Sequence, residues 1–268
     1  MHRDRLYGDL TRCVTDRRGV VRGKRSLRRL DDLHCLFIRK EPPFDRDYLS
    51  MTYLLDFLRK KVFIINDPQG IRDANEKLSS LAAPRFAAEA VTGYRPDLIR
   101  SFLRKIKSRA FVLKPLFYKG GKGIVKGSGT SARFRKEIAE ATHEAHEPVT
   151  VQRFIPHAKT GDKRILLLDG KALGAFTRIP GPGDFRANMA LGGRAQWAEV
   201  NARDQRIITA LKGYLRRNGL FFVGMDVLDG YLTEVNVTSP AGVPEINRFH
   251  GLKTEDPVVD FLEARSPR

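Results

Sequence analysis

The sequence predicts an α/β segment followed by an α+β domain dominated by antiparallel strands, with the change of character near residue 80. Three observations carry this prediction. Between residues 33 and 65 an apolar strand, an amphipathic helix and a second apolar strand follow one another, the order of a βαβ unit with parallel strands. Beyond residue 110, strand-sized runs are joined by Asp169-Gly170 and Asp229-Gly230, a dipeptide that favours tight antiparallel hairpins. The longest apolar stretches, Leu220–Val223 and Ile165–Leu168, are strand-sized and far below the ~20 residues of a membrane span.

Taken in order, Leu33–Ile38 reads as a buried strand. Asp47–Lys60 reads as a helix with Tyr48, Met51, Leu54, Leu55 and Leu58 on one stripe. Val62–Ile65 is the second strand, ended by the turn signal Asn66-Asp67-Pro68. A short helix is predicted over Arg72–Ser80, and another from Pro96, a favoured first-turn residue, to about Lys107. Ala110–Leu113 is a strand and Lys119–Gly129 a glycine-rich turn region. Arg133–Ala145 is a helix with Thr130 or Ser131 as its N-cap. Val149–Phe154 is another strand. The Gly/Pro-rich stretch Ile179–Arg194 and a helix from Arg203 to Arg217, closed by Asn218-Gly219, lie between the two hairpins.

Composition narrows the class. The 268 residues are 41% hydrophobic and 30% charged, which excludes a largely disordered chain and allows a core without disulfide or zinc. The first ten residues lack the apolar region of a signal peptide. Cys13 and Cys35, 22 residues apart and without a partner motif, read as reduced thiols, so a cytoplasmic location is expected. The net charge of +18 is concentrated: residues 1–30 hold ten Lys/Arg against three Asp, and residues 95–126 hold ten against one. Such clusters suit either nucleic acid or a smaller polyanion such as a nucleotide triphosphate. Only weak, salt-sensitive binding to nucleic acid is expected.

Three groups of residues carry chemistry. Strand Leu220–Asp226 ends in a carboxylate, and the return strand from Tyr231 puts Glu234 and Asn236 on one face by the two-residue strand period. These are hard oxygen ligands of the kind Mg²⁺ uses; an exposed polar face would give the same pattern. Lys114 ends a strand ahead of Lys119-Gly120-Gly121-Lys122-Gly123, where glycines let backbone N–H groups approach phosphates. Neither GxxxxGK[ST] nor GxGxxG is present. Arg164, Arg178, Arg186 and Asn188 converge on one Gly-rich stretch, as in a lid over anionic chemistry. The hairpin register decides whether the first group assembles. A two-residue Asp229-Gly230 turn would put Asp226 on the face away from Glu234 and Asn236. A three-residue loop Leu228–Gly230, or another one-residue bulge of equal effect, with Gly230 at positive φ, is therefore predicted.

Several runs resemble the bacterial glutathione synthetase family of the ATP-grasp superfamily. They are Phe37–Asp45 (FIRKEPPFD), Asn66–Lys77 (NDPQGIRDANEK), Gly161–Arg164, Arg178–Pro180, Arg186–Gly193, Phe222–Asp226 and Thr233–Pro240 (TEVNVTSP), in the family's order. The resemblance covers residues 33–265. It implies an ATP-grasp fold over residues 81–268, preceded by a truncated Rossmann-like (pre-ATP-grasp) domain over 1–80 with an Arg-rich start. Carried over residue by residue, it implies that Arg95, Lys114, Gly120, Gly121 and Asp162 meet ATP, with Gln152-Arg153-Phe154-Ile155 as the adenine hinge. Asp226, Glu234 and Asn236 would bind Mg²⁺, or Mn²⁺ in its place. Arg164, Arg178, Arg186, Asn188 and Ser239 would position the peptide carboxylate. The implied reaction is ATP-dependent ligation of γ-glutamylcysteine to glycine. The rival readings are a ligase with another acceptor and a degenerate nucleotide- or nucleic-acid-binding protein; a homo-oligomer is left open.

The chain departs from the family at three places. Arg95 stands where a lysine is usual, and Phe117-Tyr118-Lys119 replaces a smaller stretch ahead of the phosphate loop. Residues 1–30 stand where the resemblance implies a preceding strand, helix and strand, whose lack would leave the edge of Leu33–Ile38 open.

Overall fold

The computed structural model describes residues 5–16, 19–118, 121, 123–156, 161–187, 189 and 192–266. The Arg-rich start is a hairpin: β1 (Tyr7–Asp16) pairs antiparallel with β2 (Gly19–Arg29). Its apolar side chains are too sparse to alternate, so periodicity gave no strand signal. Backbone pairing rather than burial holds it, and Val20 and Leu27 are exposed. Only its root joins a core: Leu6 and Leu30 are buried, and the Leu30 N–H donates to the Leu6 carbonyl at 2.9 Å.

The βαβ unit follows as β3 (Cys35–Phe37), α1 (Arg46–Asp56) and β4 (Phe63–Ile65), with β3 and β4 parallel. Among the described residues this sheet has two strands. Asp45 starts α1 by accepting the Tyr48 N–H at 2.9 Å. The helix expected over Arg72–Ser80 is misplaced. Instead α2 spans Pro68–Asp73, capped by the Asp67 carboxylate on the N–H groups of Gln69 and Gly70. The Asn75 side chain then captures the N–H groups of Lys77 and Leu78, which diverts the backbone from helix.

A four-stranded antiparallel sheet comes next, in the order β5 (Ala90–Gly93), β8 (Val149–Arg153), β6 (Ala110–Pro115) and β7 (Val125–Ser128). One face packs Phe111, Leu113, Val149 and Val151 on Ile99 and Leu103 of α3 (Pro96–Lys105) and on Phe134 and Ile138 of α4 (Phe134–Ala141). The strand period turns Lys114, Thr150 and Gln152 to the other face. Helix α4 stops short of the expected Ala145 because His143, Glu144 and Ala145 all take positive φ.

A five-stranded antiparallel sheet has the order β11 (Arg194–Trp197), β10 (Lys171–Ile179), β9 (Asp162–Leu168), β12 (Phe222–Leu228) and β13 (Tyr231–Asn236). It is buried on both sides. Ile165, Leu167, Val223 and Met225 share a core with Ile207, Leu211 and Leu215 of α5 (Ala202–Arg217). Leu166, Leu168 and Phe222 pack with Ile246 of α6 (Val243–His250) and Val258 of α7 (Glu255–Arg265), two helices the sequence analysis does not anticipate. Asn66 stitches β4 to this sheet. Its buried amide donates to the carbonyls of Phe222 and Val237 and accepts the Phe222 N–H, all at 2.8 Å.

Candidate active site

The register of the β12–β13 hairpin places the carboxylates. The turn is the two-residue kind: Leu228 pairs with Tyr231, and Asp229 and Gly230 have φ of 49° and 76°. The three-residue loop is therefore not formed, although Gly230 has the expected positive φ. The alternative form of the prediction is what the strand contains. Val227 pairs with Leu232 but Asp226 with Glu234, leaving Thr233 as the extra residue of a bulge. Leu232 thus stays in the core while Glu234 and Asn236 turn to the face of Asp226, and the Asn236 amide donates to Asp226 Oδ2 at 3.1 Å.

Asp226 is buried and doubly clamped. Arg164 donates to it from Nε at 2.5 Å and from Nη2 at 3.0 Å, and Arg178 Nη2 lies 2.8 Å from Oδ2. Burial opposes ionisation of Asp226, but the two arginines outweigh it and hold its carboxyl well below the usual carboxylate range. Arg178 is likewise kept charged, against burial, by Asp226 and Asp162. Gly224 makes the clamp possible, since a Cβ there would lie 3.3 Å from Arg164 Cδ and 3.0 Å from Pro240 Cβ. Asp162, assigned to ATP by resemblance, is Arg178's bidentate partner at 2.8 and 2.7 Å.

Glu234 is the more available carboxylate of the pair. It is partly exposed, and its ion pair with Lys114 is loose at 3.7 Å. The donor set suits a hard divalent cation that keeps waters and shares phosphate oxygens. Glu234 and the Asn236 amide oxygen can offer lone pairs, whereas Asp226 Oδ2 already receives three N–H groups. A cation at Asp226 must share that carboxylate with the arginines. No group of three His, Cys, Asp or Glu forms a closed metal site among the described residues.

A cavity of about 150 Å³ lies beside this cluster, between the two larger sheets. Thr92, Lys114, Thr150 and Gln152 line it from the four-stranded sheet, Thr233 from the bulge, and Lys77, Leu78, Ser80 and Leu81 from the segment after α2. Lys77, which the sequence analysis passed over, is buried. It donates to the carbonyl of Tyr118 at 2.8 Å and lies 3.4 Å from that of Leu116, fixing the chain ahead of the glycine-rich stretch. Its place in the specific run NDPQGIRDANEK was the available signal.

Other expected residues are distributed differently. Of the hinge run, Gln152 alone lines the cavity; the N–H groups of Arg153 and Phe154 are committed to the carbonyls of Glu89 and Ala110. Arg153 turns to Glu89, Phe154 lies under Lys126, and Ile155 is buried in the protein. Arg95 is exposed on Asp97 and does not line the cavity. Arg186 is held by Asp184 at 2.8 Å and donates to the Gly121 carbonyl at 3.1 Å, joining the 181–187 loop to the glycine-rich stretch. Ser239 donates to the Arg39 carbonyl at 3.4 Å. Gly120 and Asn188 lie outside the described residues.

Residues 76–251 match the model of the prokaryotic glutathione synthetase ATP-grasp domain, and residues 2–72 that of the prokaryotic glutathione synthetase N-terminal domain. The second match takes in the Arg-rich start, which the motifs alone left outside the resemblance. The chain is 43% identical over 243 residues to the glutathione synthetase of Synechococcus elongatus, covering 90% of this chain and 75% of that one. With the glutathione synthetase of Coxiella burnetii the identity is 37% over 242 residues, with the same two shares. Among solved structures, D-cycloserine synthetase DcsG superposes with a TM-score of 0.66 at 14% identity, covering 87% of this chain and 85% of that one. D-alanine–D-alanine ligase from Bacillus anthracis gives 0.58 at 16%, covering 80% and 68%. At such identities these two show the ATP-grasp fold alone. This chain belongs to the prokaryotic glutathione synthetase family.

Proposed function

We propose that this chain joins γ-glutamylcysteine to glycine at the expense of ATP. The observation that carries the reading is one juxtaposition. Lys114 lines the cavity between the sheets and pairs with Glu234 at 3.7 Å, and Glu234 shares a strand face with the Asp226–Arg164–Arg178 cluster. In the proposed reaction the cysteinyl carboxylate of the dipeptide takes the γ-phosphoryl group of ATP, releasing ADP. The neutral glycine amine then attacks the acyl carbon, the C–O bond to phosphate breaks, and the amine proton passes to solvent.

No side-chain nucleophile is required. Lys114 offsets phosphate charge, Lys77 holds the Leu116–Tyr118 segment ahead of the glycine-rich loop, and Arg164 and Arg178 present fixed positive charge where the acyl oxygens build negative charge. Glu234, Asn236 and an oxygen of Asp226 would hold Mg²⁺, with Mn²⁺ as its substitute. When bound, the metal would draw charge off the phosphoryl oxygens. No helix among the described residues is long and apolar enough to cross a membrane. Cys13 and Cys35 are both free thiols, in keeping with a cytoplasmic setting.

The test is turnover. With ATP, MgCl₂, γ-glutamylcysteine and glycine, the protein should release ADP and glutathione in equal amounts. ADP release without glutathione, or ligation only to another amine, would refute the proposal.

A further inference from the structure

The N-terminal hairpin takes no part in the proposed reaction, and little of the protein covers it. Strands β1 and β2 form a sheet of their own, and beyond its root residues 11–15 and 19–25 are exposed. A two-stranded ribbon on its own is marginal in water at best, so one this long points to a partner that covers it. The register distributes its side chains. Val14 lies opposite Val21 on one face, while Val20 and Leu27 lie on the other, 69% and 70% exposed. Gly23 and Lys24 together oppose Arg12, a bulge that brings Arg22 and Arg25 onto the Val20 face and leaves Arg12 and Arg28 on the Val14 face. Both faces are therefore basic. Arg25 is matched by Asp9 at 2.7 Å and Arg28 donates to the Ser26 hydroxyl at 3.2 Å, but Arg12, Arg22 and Lys24 have no ion pair among the described residues.

We infer that this hairpin is an arm that lies in the major groove of duplex DNA and binds it through the backbone phosphates. Charge fixes the sign of the partner, since a second copy of the hairpin would bring like charges together. Shape then selects among polyanions. The ten residues of β1, at ~3.4 Å each, span about 34 Å, one turn of B-form DNA, whose groove of about 12 Å admits a two-stranded ribbon. The major groove of duplex RNA is too narrow for side chains to enter. Single strands are held by stacking on aromatic rings, and residues 8–29 contain none. A membrane surface calls for apolar side chains gathered on one face, whereas here they are divided between two. Contacts to phosphates are blind to sequence and sensitive to salt. What the structure adds is their place. The second basic window offers a control, because Arg104, Lys105 and Lys107 are also exposed but lie at the end of α3 and do not line the cavity between the sheets.

Fluorescence anisotropy of a labelled DNA duplex of about 20 base pairs, two helical turns, tests this with the full chain over a range of salt concentrations. With Arg12, Arg22, Lys24 and Arg28 on phosphates, log K should fall against log salt with a slope of about −4. A variant combining Arg22→Gln, Lys24→Gln and Arg28→Gln changes only exposed side chains and should keep the wild-type melting temperature. Its slope should shrink to about −1, and its affinity near 0.1 M salt should drop about 100-fold. Combining Arg104→Gln, Lys105→Gln and Lys107→Gln removes the same charge and should leave slope and affinity unchanged, as should saturating ATP. Equal losses in the two variants would mean that net charge alone binds DNA, and displacement by ATP would move the DNA to the cavity between the sheets; either overturns the inference. So would equal affinity for duplex RNA or single-stranded DNA, preference for phosphatidylserine vesicles, competition by polyglutamate as effective as by DNA, or self-association in sedimentation that the hairpin variant abolishes.

Discussion

Asp226 and Glu234 face each other across one hairpin, yet their neutralisation should have opposite consequences. Asp226→Asn removes the carboxylate that Arg164 and Arg178 share in a buried setting, leaving Arg178 with Asp162 and Arg164 with the Ala241 carbonyl at 3.3 Å. Breaking a buried pair from one side costs about 3–5 kcal/mol. At roughly 2–4 °C per kcal/mol for a chain of this size, the melting temperature should fall by about 10 °C. Glu234→Gln removes a partly solvated pair at 3.7 Å, which is worth about 1 kcal/mol or less. Its melting temperature should move by no more than about 3 °C. Turnover should nevertheless fall by about 100-fold or more, because the most available oxygen for the cation has been removed. Differential scanning fluorimetry beside a steady-state ADP assay reads both quantities. A stable Asp226→Asn protein, or a Glu234→Gln protein that keeps wild-type turnover, would refute this division of labour.

Other expectations follow from single contacts. Lys77→Met removes the cation that holds the Tyr118 carbonyl at 2.8 Å, and should raise the KM for ATP about tenfold, by steady-state kinetics, if that anchor sets the phosphate loop. Gly224→Ala places a methyl 3.0 Å from Pro240 Cβ and 3.3 Å from the Arg164 side chain. It should cost about 1–3 kcal/mol by chemical denaturation and lower kcat together with stability. Asp184 has its carboxyl lowered to about 2 by hydrogen bonds from Arg186. For a depressed carboxyl the stabilisation is present above the ordinary value of 3.8 and is lost as pH falls through about 2. An NMR titration of that carboxyl should have its midpoint near 2, and a midpoint near 4 would show that Arg186 does not hold it in solution.

The readable parts of the sequence were those where side-chain chemistry acts locally. The βαβ order, the two Asp-Gly turns and the carboxylate face each follow from period and turn residues. Even the need for an extra residue in β13 could be derived, because Asp226 and Glu234 otherwise fall on opposite faces. Its location could not: a three-residue loop and an in-strand bulge give the same facing, and Thr233 bulges through its own hydrogen bond to the Asp226 carbonyl at 3.2 Å. The N-terminal hairpin was hidden because its strands bury almost nothing, so no apolar alternation marks them. Arg95 and Asp162 were placed at the nucleotide by resemblance; the partners they have here, Asp97 and Arg178, are contacts that resemblance does not reveal. Lys77 and Glu76 lie where helix was expected, and their roles depend on tertiary neighbours some 40 and 160 residues away.

The most direct test of the account follows one oxygen. With both carboxylate oxygens of the cysteinyl group labelled with ¹⁸O, an acyl phosphate hands one of them to phosphate when the glycine amine displaces it. Mass spectrometry of the products should therefore find one ¹⁸O in each inorganic phosphate and one in the new amide of glutathione. Unlabelled phosphate alongside labelled glutathione would mean that ATP is cleaved without activating the carboxylate, and would contradict the reaction assigned to this site.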